Sequence, residues 1–276
     1  MSNRDQYPPG VPCWVDTAQP DPGAALDFYG ALLGWEFIGP GPMPGDPPGE
    51  YHVARIRGRD VAGISSLPPG APALPAWTTH VAVESADAAV DRARAAGGTV
   101  VIGPFDAPPA GRLAVLSDPD GAVFCVWEAG VRHGAQVLNE PSAWAMSMLN
   151  TRDADAAKAF YGEVFGWQAE PFAPGVELFR LPGYVGGEPE QPVPRDVVAV
   201  LASGEGDPVW SVDFWIDDAE LAAARATELG GSVVVAPREI PGFVNTVIAD
   251  PAGAVLSLSQ LRHPTARAQA TLITTA

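Results

Sequence analysis

The sequence predicts an α+β protein of four βαβββ modules. Three observations carry that prediction: a motif that occurs twice, landmarks that recur at one spacing, and helix and strand signals in the same order in each copy. The motif runs from Trp14 to Trp35 and again from Met146 to Trp167. Phe28-Tyr29 recurs as Phe160-Tyr161, Gly34-Trp35 as Gly166-Trp167, and Asp118-Pro-Asp-Gly121 as Asp250-Pro-Ala-Gly253, each 132 residues later. Trp77 recurs as Trp210 and Gly97-Gly98 as Gly230-Gly231, 133 residues later. Landmarks held in order at one spacing mark a tandem duplication. The boundary is expected within residues 129–142, dividing the chain into domains 1–134 and 135–276. Each domain holds two modules, whose paired strands are expected to make one curved mixed sheet around a cup.

Each element follows from local signals. Residues 11–17 read as a strand, and Asp21-Pro22 as a helix start, with a carboxylate cap and a proline at the first helical position. The helix places Leu26, Tyr29, Leu32 and Leu33 on one stripe, and Gly34 stops it. Strands follow at 35–39, 51–57 and 61–67, with a Pro/Gly-rich loop at 40–49 expected to be mobile or to cover a substrate. The second module has a strand at 78–83 and a helix at 86–96 with Ala89, Val90 and Ala93 inward. Strands at 100–102, 113–117 and 123–127 close it, the last two joined by the Asp118-Pro-Asp-Gly121 turn. The second half repeats this, with helices at 153–165 and 218–229.

Composition narrows the function classes. The 276 residues are 47% apolar and 18% charged, which suits two cores of ordinary domain size. A net charge of −17 argues against nucleic acid or an anionic membrane as partner, because phosphate surfaces repel such an exterior. No run approaches the roughly 18 apolar residues of a membrane span. Cys13 and Cys125 are too few for a disulfide framework and are expected as small buried hydrophobes. The N-terminus lacks the apolar stretch of a secretory signal, so a cytoplasmic location is expected. Four modules can pair within one chain, which allows a monomer or a homodimer.

The capped Phe-Tyr…Gly-Trp helices, the Gly-Gly pairs after the second helices and the Asp-Pro-x-Gly turns resemble those of the vicinal-oxygen-chelate superfamily. That superfamily includes glyoxalase I, bleomycin-resistance proteins, fosfomycin-resistance enzymes and extradiol dioxygenases. The resemblance covers nearly the whole chain. It implies glyoxalase-like paired-module domains of a tandem type, often labelled glyoxalase-like proteins or hydroxylases. In metal-using relatives it also implies four His, Gln or Glu ligands projecting into a cup. Aligned on the shared landmarks, those positions fall on Trp14, on Ser65 or Ile64, on Thr78 and on Cys125. The second half gives Met146, a residue near Leu201, Ser211 and Ser257. These are poor ligands for a hard divalent ion, so no metal or other cofactor is expected in either cup.

The alternation of strands then gives the cup-facing residues. If Trp14, Thr78 and Cys125 point inward, so do Asp16, His80 and Trp127. The second cup collects Met146, Met148, Ser211, Asp213, Trp215, Ser257 and Ser259. Asp16 and His80 are the candidate catalytic pair, since a carboxylate beside an imidazole orients it for proton transfer. The competing reading makes His80 a hydrogen-bonded core histidine and Asp16 a strand-end residue. His52, of unresolved facing, is a further contributor. Trp77, Trp144 and Trp210 join Trp14, Trp127 and Trp215 on strands expected to line the cups, a stacking surface for a planar ligand. Trp35 and Trp167 are expected to pack the first helices. Arg112 is either an anion-pairing group or a solvated one, and His133 and His263 fall in linker and tail.

Three functions fit these residues. One is a metal-independent enzyme that transforms a small aromatic or polyketide-like metabolite by acid/base or positioning catalysis. Another is a protein that sequesters such a molecule, as the resemblance to bleomycin-resistance proteins implies. The third is a metal enzyme with unusual ligands such as Asp16, His52 and His80.

Overall fold

The computed structural model describes residues 2–43, 48–67, 75–186 and 194–262. The first half comprises β1 (Ser2–Asn3), β2 (Pro12–Gln19), α1 (Pro22–Leu33), β3 (Glu36–Met43), β4 (Gly49–Ile56), β5 (Arg59–Ser66), β6 (Ala76–Val83), α2 (Ala86–Ala95), β7 (Thr99–Ala107), β8 (Gly111–Ser117) and β9 (Val123–Ala129). After β10 (Val137–Leu138) come β11 (Trp144–Thr151), α3 (Ala154–Phe165), β12 (Gln168–Ala173), β13 (Val176–Arg180), β14 (Val197–Ser203), β15 (Val209–Ile216), α4 (Ala219–Glu228), β16 (Ser232–Ile240), β17 (Phe243–Ala249) and β18 (Val255–Leu261). This is the α+β arrangement of four modules that the repeat predicts.

Each half forms one eight-stranded mixed sheet, in the orders β3-β4-β5-β2-β6-β9-β8-β7 and β12-β13-β14-β11-β15-β18-β17-β16. The two modules of a half meet where their first strands pair antiparallel, β2 with β6 and β11 with β15. Within each module the first strand runs parallel to the last, β2 beside β5 and β6 beside β9. The short strands β1 and β10 pair with each other outside both sheets.

The helices begin and end where the sequence signals place them. The Asp21 carboxylate accepts from the Ala24 amide and Asp153 from Ala156, and Gly34 and Gly166 end α1 and α3 at positive φ. The buried face of α1 is Ala25, Phe28, Tyr29 and Leu33, with Leu26 and Leu32 only partly buried. The stripe is thus rotated from the sequence expectation, because the helix packs against two sheets rather than one. The loop expected at 40–49 is also shorter: β3 continues to Met43 and β4 begins at Gly49, while residues 44–47 lie outside the described residues.

The helices lie between the sheets and are shared by the halves. One core joins α1 and the core face of β2 and β5 to α4, Phe214 and Leu256 of the second half. The other joins α2, Leu116 and Phe124 to α3, Phe179 and Leu201. The repeated motifs meet across this seam. Asp118 Oδ1 accepts from the amides of Asp120, Gly121 and Ala122, closing its own turn, and its Oδ2 accepts from the Tyr161 hydroxyl of the other half. Asp250 does the same with its turn and with Tyr29. Trp77 and Trp210 donate their indole N–H to Tyr29 and Tyr161, 3.1 and 2.8 Å away.

The Gly-Gly pairs belong to the same contact. Gly97 and Gly230 take positive φ beyond the helix ends, where a β-carbon is strained. A β-carbon on Gly98 would meet the Phe160 ring at 2.7 Å, and one on Gly231 would meet the Ala249 carbonyl at 2.6 Å and Phe28 at 3.1 Å. Trp77, Trp144 and Trp210 are therefore core residues, not cup walls, which corrects their expected facing. Trp35 and Trp167 pack Tyr29 and Tyr161 as expected.

Replacing Tyr161 with Phe leaves the Trp210 N–H and Asp118 Oδ2 without their shared hydroxyl, and should cost about 2 kcal/mol in urea unfolding. The Tyr161→Phe/Asp118→Asn double variant should cost less than the sum of the single changes, since both remove one bond. Simple additivity would contradict the pairing.

Candidate functional site

On the first sheet the face away from the helices carries Trp14 and Asp16 from β2, Tyr51 from β4, Gly63 and Ser65 from β5, Thr78 and His80 from β6, and Cys125 and Trp127 from β9. The alternation is visible in burial: Cys13, Val15 and Thr17 are fully buried, while Trp14 and Asp16 are partly exposed. Asp16 lies opposite Thr78 on one side and Gly63 on the other, and His80 lies between Trp14 and Cys125. The structure therefore brings together all six candidates from the first half.

Their polar groups form a chain. The Trp14 indole N–H donates to the Tyr51 hydroxyl at 2.7 Å, and that hydroxyl donates to Asp16 Oδ2 at 2.9 Å. The other carboxylate oxygen lies 3.0 Å from His80 Nε2. That contact has ion-pair distance but lies off the N–H direction, so neither imidazole nitrogen makes a well-formed hydrogen bond although both are buried. Trp127 stands edge-on to the imidazole at 6.5 Å and is fixed by donating to the Arg132 carbonyl. Burial, reinforced by the Asp16 charge, pushes the Tyr51 hydroxyl well above its ordinary range, so it stays protonated and donating. The Cys125 thiol is pushed up for the same reasons and the Cys13 thiol by burial, consistent with small buried hydrophobes.

Tyr51 was missed by sequence reasoning, which singled out His52 beside it. Tyr51 pairs with Ser65, whereas His52 pairs with Ile64, which lies in the helix-side core. His52 contacts Glu50, on the face opposite Asp16 and His80, and does not join them. Gly63 provides the room for Tyr51, because a β-carbon there would collide with the phenol ring. Arg112 is held on the surface by Asp87 and Asp106 and takes no part. His133 is exposed in the linker, and His263 lies outside the described residues.

The second cup has a different chemistry. Met146 and Met148 of β11 face Asp213 and Ser211 of β15, and Asp213 and Trp215 lie beside Ser257 and Ser259 of β18. Ser259 donates to Asp213 Oδ1 at 2.7 Å, and Asn245 donates to Ser257 and Ser259. Trp215 packs near Phe243. Burial pushes the Asp213 carboxyl up to about 6 against the opposing effect of the two serines.

Comparison with known proteins matches both halves. Residues 14–126 match the family described as "Glyoxalase/Bleomycin resistance protein/Dioxygenase superfamily", and residues 146–259 match "Glyoxalase-like domain". The chain belongs to the glyoxalase/bleomycin resistance protein/dioxygenase superfamily. A Mycobacterium tuberculosis protein named "Putative glyoxylase CFP32" is 37% identical over 267 residues, covering 94% of this chain and 97% of that protein. "Anthracycline biosynthesis protein DnrV" of Streptomyces peucetius is 33% identical over 272 residues, 94% of this chain and 96% of that one. Among solved structures, the Mn(II)-bound glyoxalase from Novosphingobium aromaticivorans aligns with TM-score 0.62 and 18% identity over 94% of this chain and 83% of that one. The 2,3-dioxygenase LapB from Pseudomonas sp. KL28 aligns with TM-score 0.61 and 12% identity over 93% and 94%. These structural likenesses show the fold.

Members of this superfamily that use a divalent ion need several N or O donors converging in a cup. Here Ser65 rather than Ile64 takes the cup-facing position of β5, so the first-half set is Trp14, Ser65, Thr78 and Cys125. In the second half Leu201 lies in the core, leaving Met146, Ser211 and Ser257. Indole, hydroxyl, thioether and a thiol held protonated do not fit a hard divalent ion. Among the described residues no group of three or more His, Cys, Asp or Glu side chains is placed to hold one. No helix among them is long and apolar enough to cross a membrane.

Asp213 gives a pH signature. The folded protein holds this proton more tightly than the unfolded chain, so stability falls as pH rises from the ordinary 3.8 through about 6. Relative to Asp213→Asn, the wild-type protein should lose about 3 kcal/mol across that window in chemical denaturation. Parallel pH profiles for the two proteins would rule out a buried carboxylate titrating there.

Proposed function

We propose that the first cup binds a small planar metabolite, aromatic or polyketide-like, and moves a proton on it without a metal. The observation that carries this reading is His80, a buried imidazole with two unpartnered nitrogens beside a carboxylate that is itself held by Tyr51 and Trp14. The Asp16 oxygen near Nε2 favours the tautomer with its hydrogen there, which leaves the Nδ1 lone pair free to accept. In the proposed step Nδ1 takes a proton from an atom next to a substrate carbonyl, and Asp16 stabilises the imidazolium that forms. Tyr51 orients Asp16 by donating to its far oxygen. Return of the proton to another substrate atom completes an isomerisation.

Trp14, Trp127 and Thr78 form the binding wall in this reading, with Cys125 as its small apolar floor. The name of the Streptomyces peucetius relative supports a polycyclic aromatic substrate class. The unsuited donor set supports metal independence. The aromatic walls also favour a second reading, sequestration of the same class of molecule with no chemistry. The third reading, a metal held by Asp16, His52 and His80, loses its support because His52 lies on the other face of the sheet.

The test uses a polycyclic hydroxyquinone, with turnover followed by absorbance and affinity by tryptophan quenching. His80→Gln should lower kcat by at least 10²-fold and Tyr51→Phe by about tenfold, with affinity nearly unchanged. Wild-type turnover should survive chelator treatment. Full turnover in His80→Gln refutes the catalytic assignment, and tight binding without turnover in the wild-type protein leaves sequestration as the function.

A further inference from the structure

A second candidate site lies where the N-terminal segment crosses the second half. A cavity of about 40 Å³ is bounded by Arg4, Asn139, Trp144, Tyr184, Met146 and Val198, among others. It is room for a group of a few heavy atoms, since one water needs roughly 10–15 Å³ by the same measure. Two of its lining residues, each 4% exposed, carry buried polar atoms with no hydrogen-bond partner: the acceptor Asn139 Oδ1 and the donor Trp144 Nε1. Leaving such atoms unpaired is costly, and native structures rarely do so without an occupant.

The third polar group is charged. The Arg4 guanidinium is stacked between the rings of Tyr7 and Tyr184, 5.2 Å from each. The neighbouring Asp5 reaches Arg59 instead, and among the described residues no carboxylate pairs with Arg4. Asn139 holds φ of 56°, so its amide is fixed by a left-handed backbone. Met146, which also faces the second cup, lines the cavity.

We propose that this cavity binds a small hydroxycarboxylate, free or as the end of a larger molecule lying in the second cup. Arg4 and the Trp144 N–H take the carboxylate, and the neighbouring hydroxyl donates to Asn139 Oδ1. Guanidinium and indole supply donors that match a carboxylate, and the one acceptor calls for a hydroxyl beside it. The assignment uses no residue of the first cup and stands apart from the function proposed for it.

The test titrates the full chain with sodium glycolate, monitoring binding by calorimetry and thermal stabilisation, with sodium chloride at equal ionic strength as control. Glycolate should bind saturably. Acetate, which lacks the hydroxyl, should bind several-fold more weakly, and methyl glycolate, which lacks the charge, weaker still. Arg4→Gln and Trp144→Phe should each weaken glycolate by about tenfold, the worth of one hydrogen bond to an ionised group, and Asn139→Gly by the same several-fold that separates acetate from glycolate. Arg4 is half-buried at the cavity edge, so its variant keeps the test valid if the Trp144 change disturbs folding. His80→Gln should bind glycolate as the wild type does. Absence of saturable binding would mean that the cavity holds only water, and equal affinity for glycolate in Arg4→Gln, or for acetate and glycolate, would overturn the assignment.

Discussion

The whole architecture depends on a crossed pair of buried hydrogen bonds, Tyr29 to Asp250 and Tyr161 to Asp118. Each carboxylate uses one oxygen to close its own Asp-Pro-x-Gly turn and the other to accept a tyrosine from the opposite half. A buried carboxylate is costly unless its oxygens are satisfied, so neither half can shift against the other without stranding two of them. The helices are thereby trapped between the sheets, and both cups face outward. That geometry leaves each free to change its chemistry while the seam stays fixed.

The cups show that divergence residue by residue. At the offsets of the duplication, Trp14 and Asp16 correspond to Met146 and Met148, and His80 corresponds to Asp213. The first cup places its carboxylate beside an imidazole and a phenol. The second moves a carboxylate to the neighbouring strand and surrounds it with Ser257, Ser259 and Asn245. In one setting the negative charge has an imidazole that can become its counter-ion. In the other its hydrogen-bond donors among the described residues are neutral serines, and burial drives it toward the protonated form. The two environments thus give related positions different protonation behaviour, which is how one scaffold separates its sites.

Much of this was legible because the informative signals are local. Caps such as Asp21 and Asp153 and stops such as Gly34 and Gly166 act within a few residues of themselves, so helix limits follow directly from them. The superfamily resemblance put Trp14 and Thr78 at cup-facing positions, and strand alternation extended that facing to Asp16 and His80. What the sequence concealed depends on distant pairing. Trp77 and Trp210 looked like cup walls until their partners, Tyr29 and Tyr161, were known. On β4, a one-residue choice decides which of Tyr51 and His52 faces the cup, and no local signal fixes that register. The identity of the group beside Asp16 therefore came only from the fold, as did the cross-half role of the Asp-Pro-x-Gly turns.

The energetics of His80 argue that its place in the first cup is more than packing. A buried imidazole with no well-formed hydrogen bond, whose Nε2 has only the off-line Asp16 contact and whose Nδ1 has no partner, costs on the order of 1–3 kcal/mol, whereas an aliphatic side chain of similar volume would cost nothing of the kind. The surrounding residues do not repair the deficit. Cys125 is held as a protonated thiol, and Tyr51 spends its donor on Asp16 rather than on the ring. Gly63 in turn keeps open the space that Tyr51 needs. An arrangement that orders the carboxylate so fully while leaving the imidazole unsatisfied is stabilised most by a ligand whose own polar atoms complete it. The same logic sets the direction of proton flow, because the Asp16 carboxylate beside the ring stands ready for the moment the imidazole gains a proton.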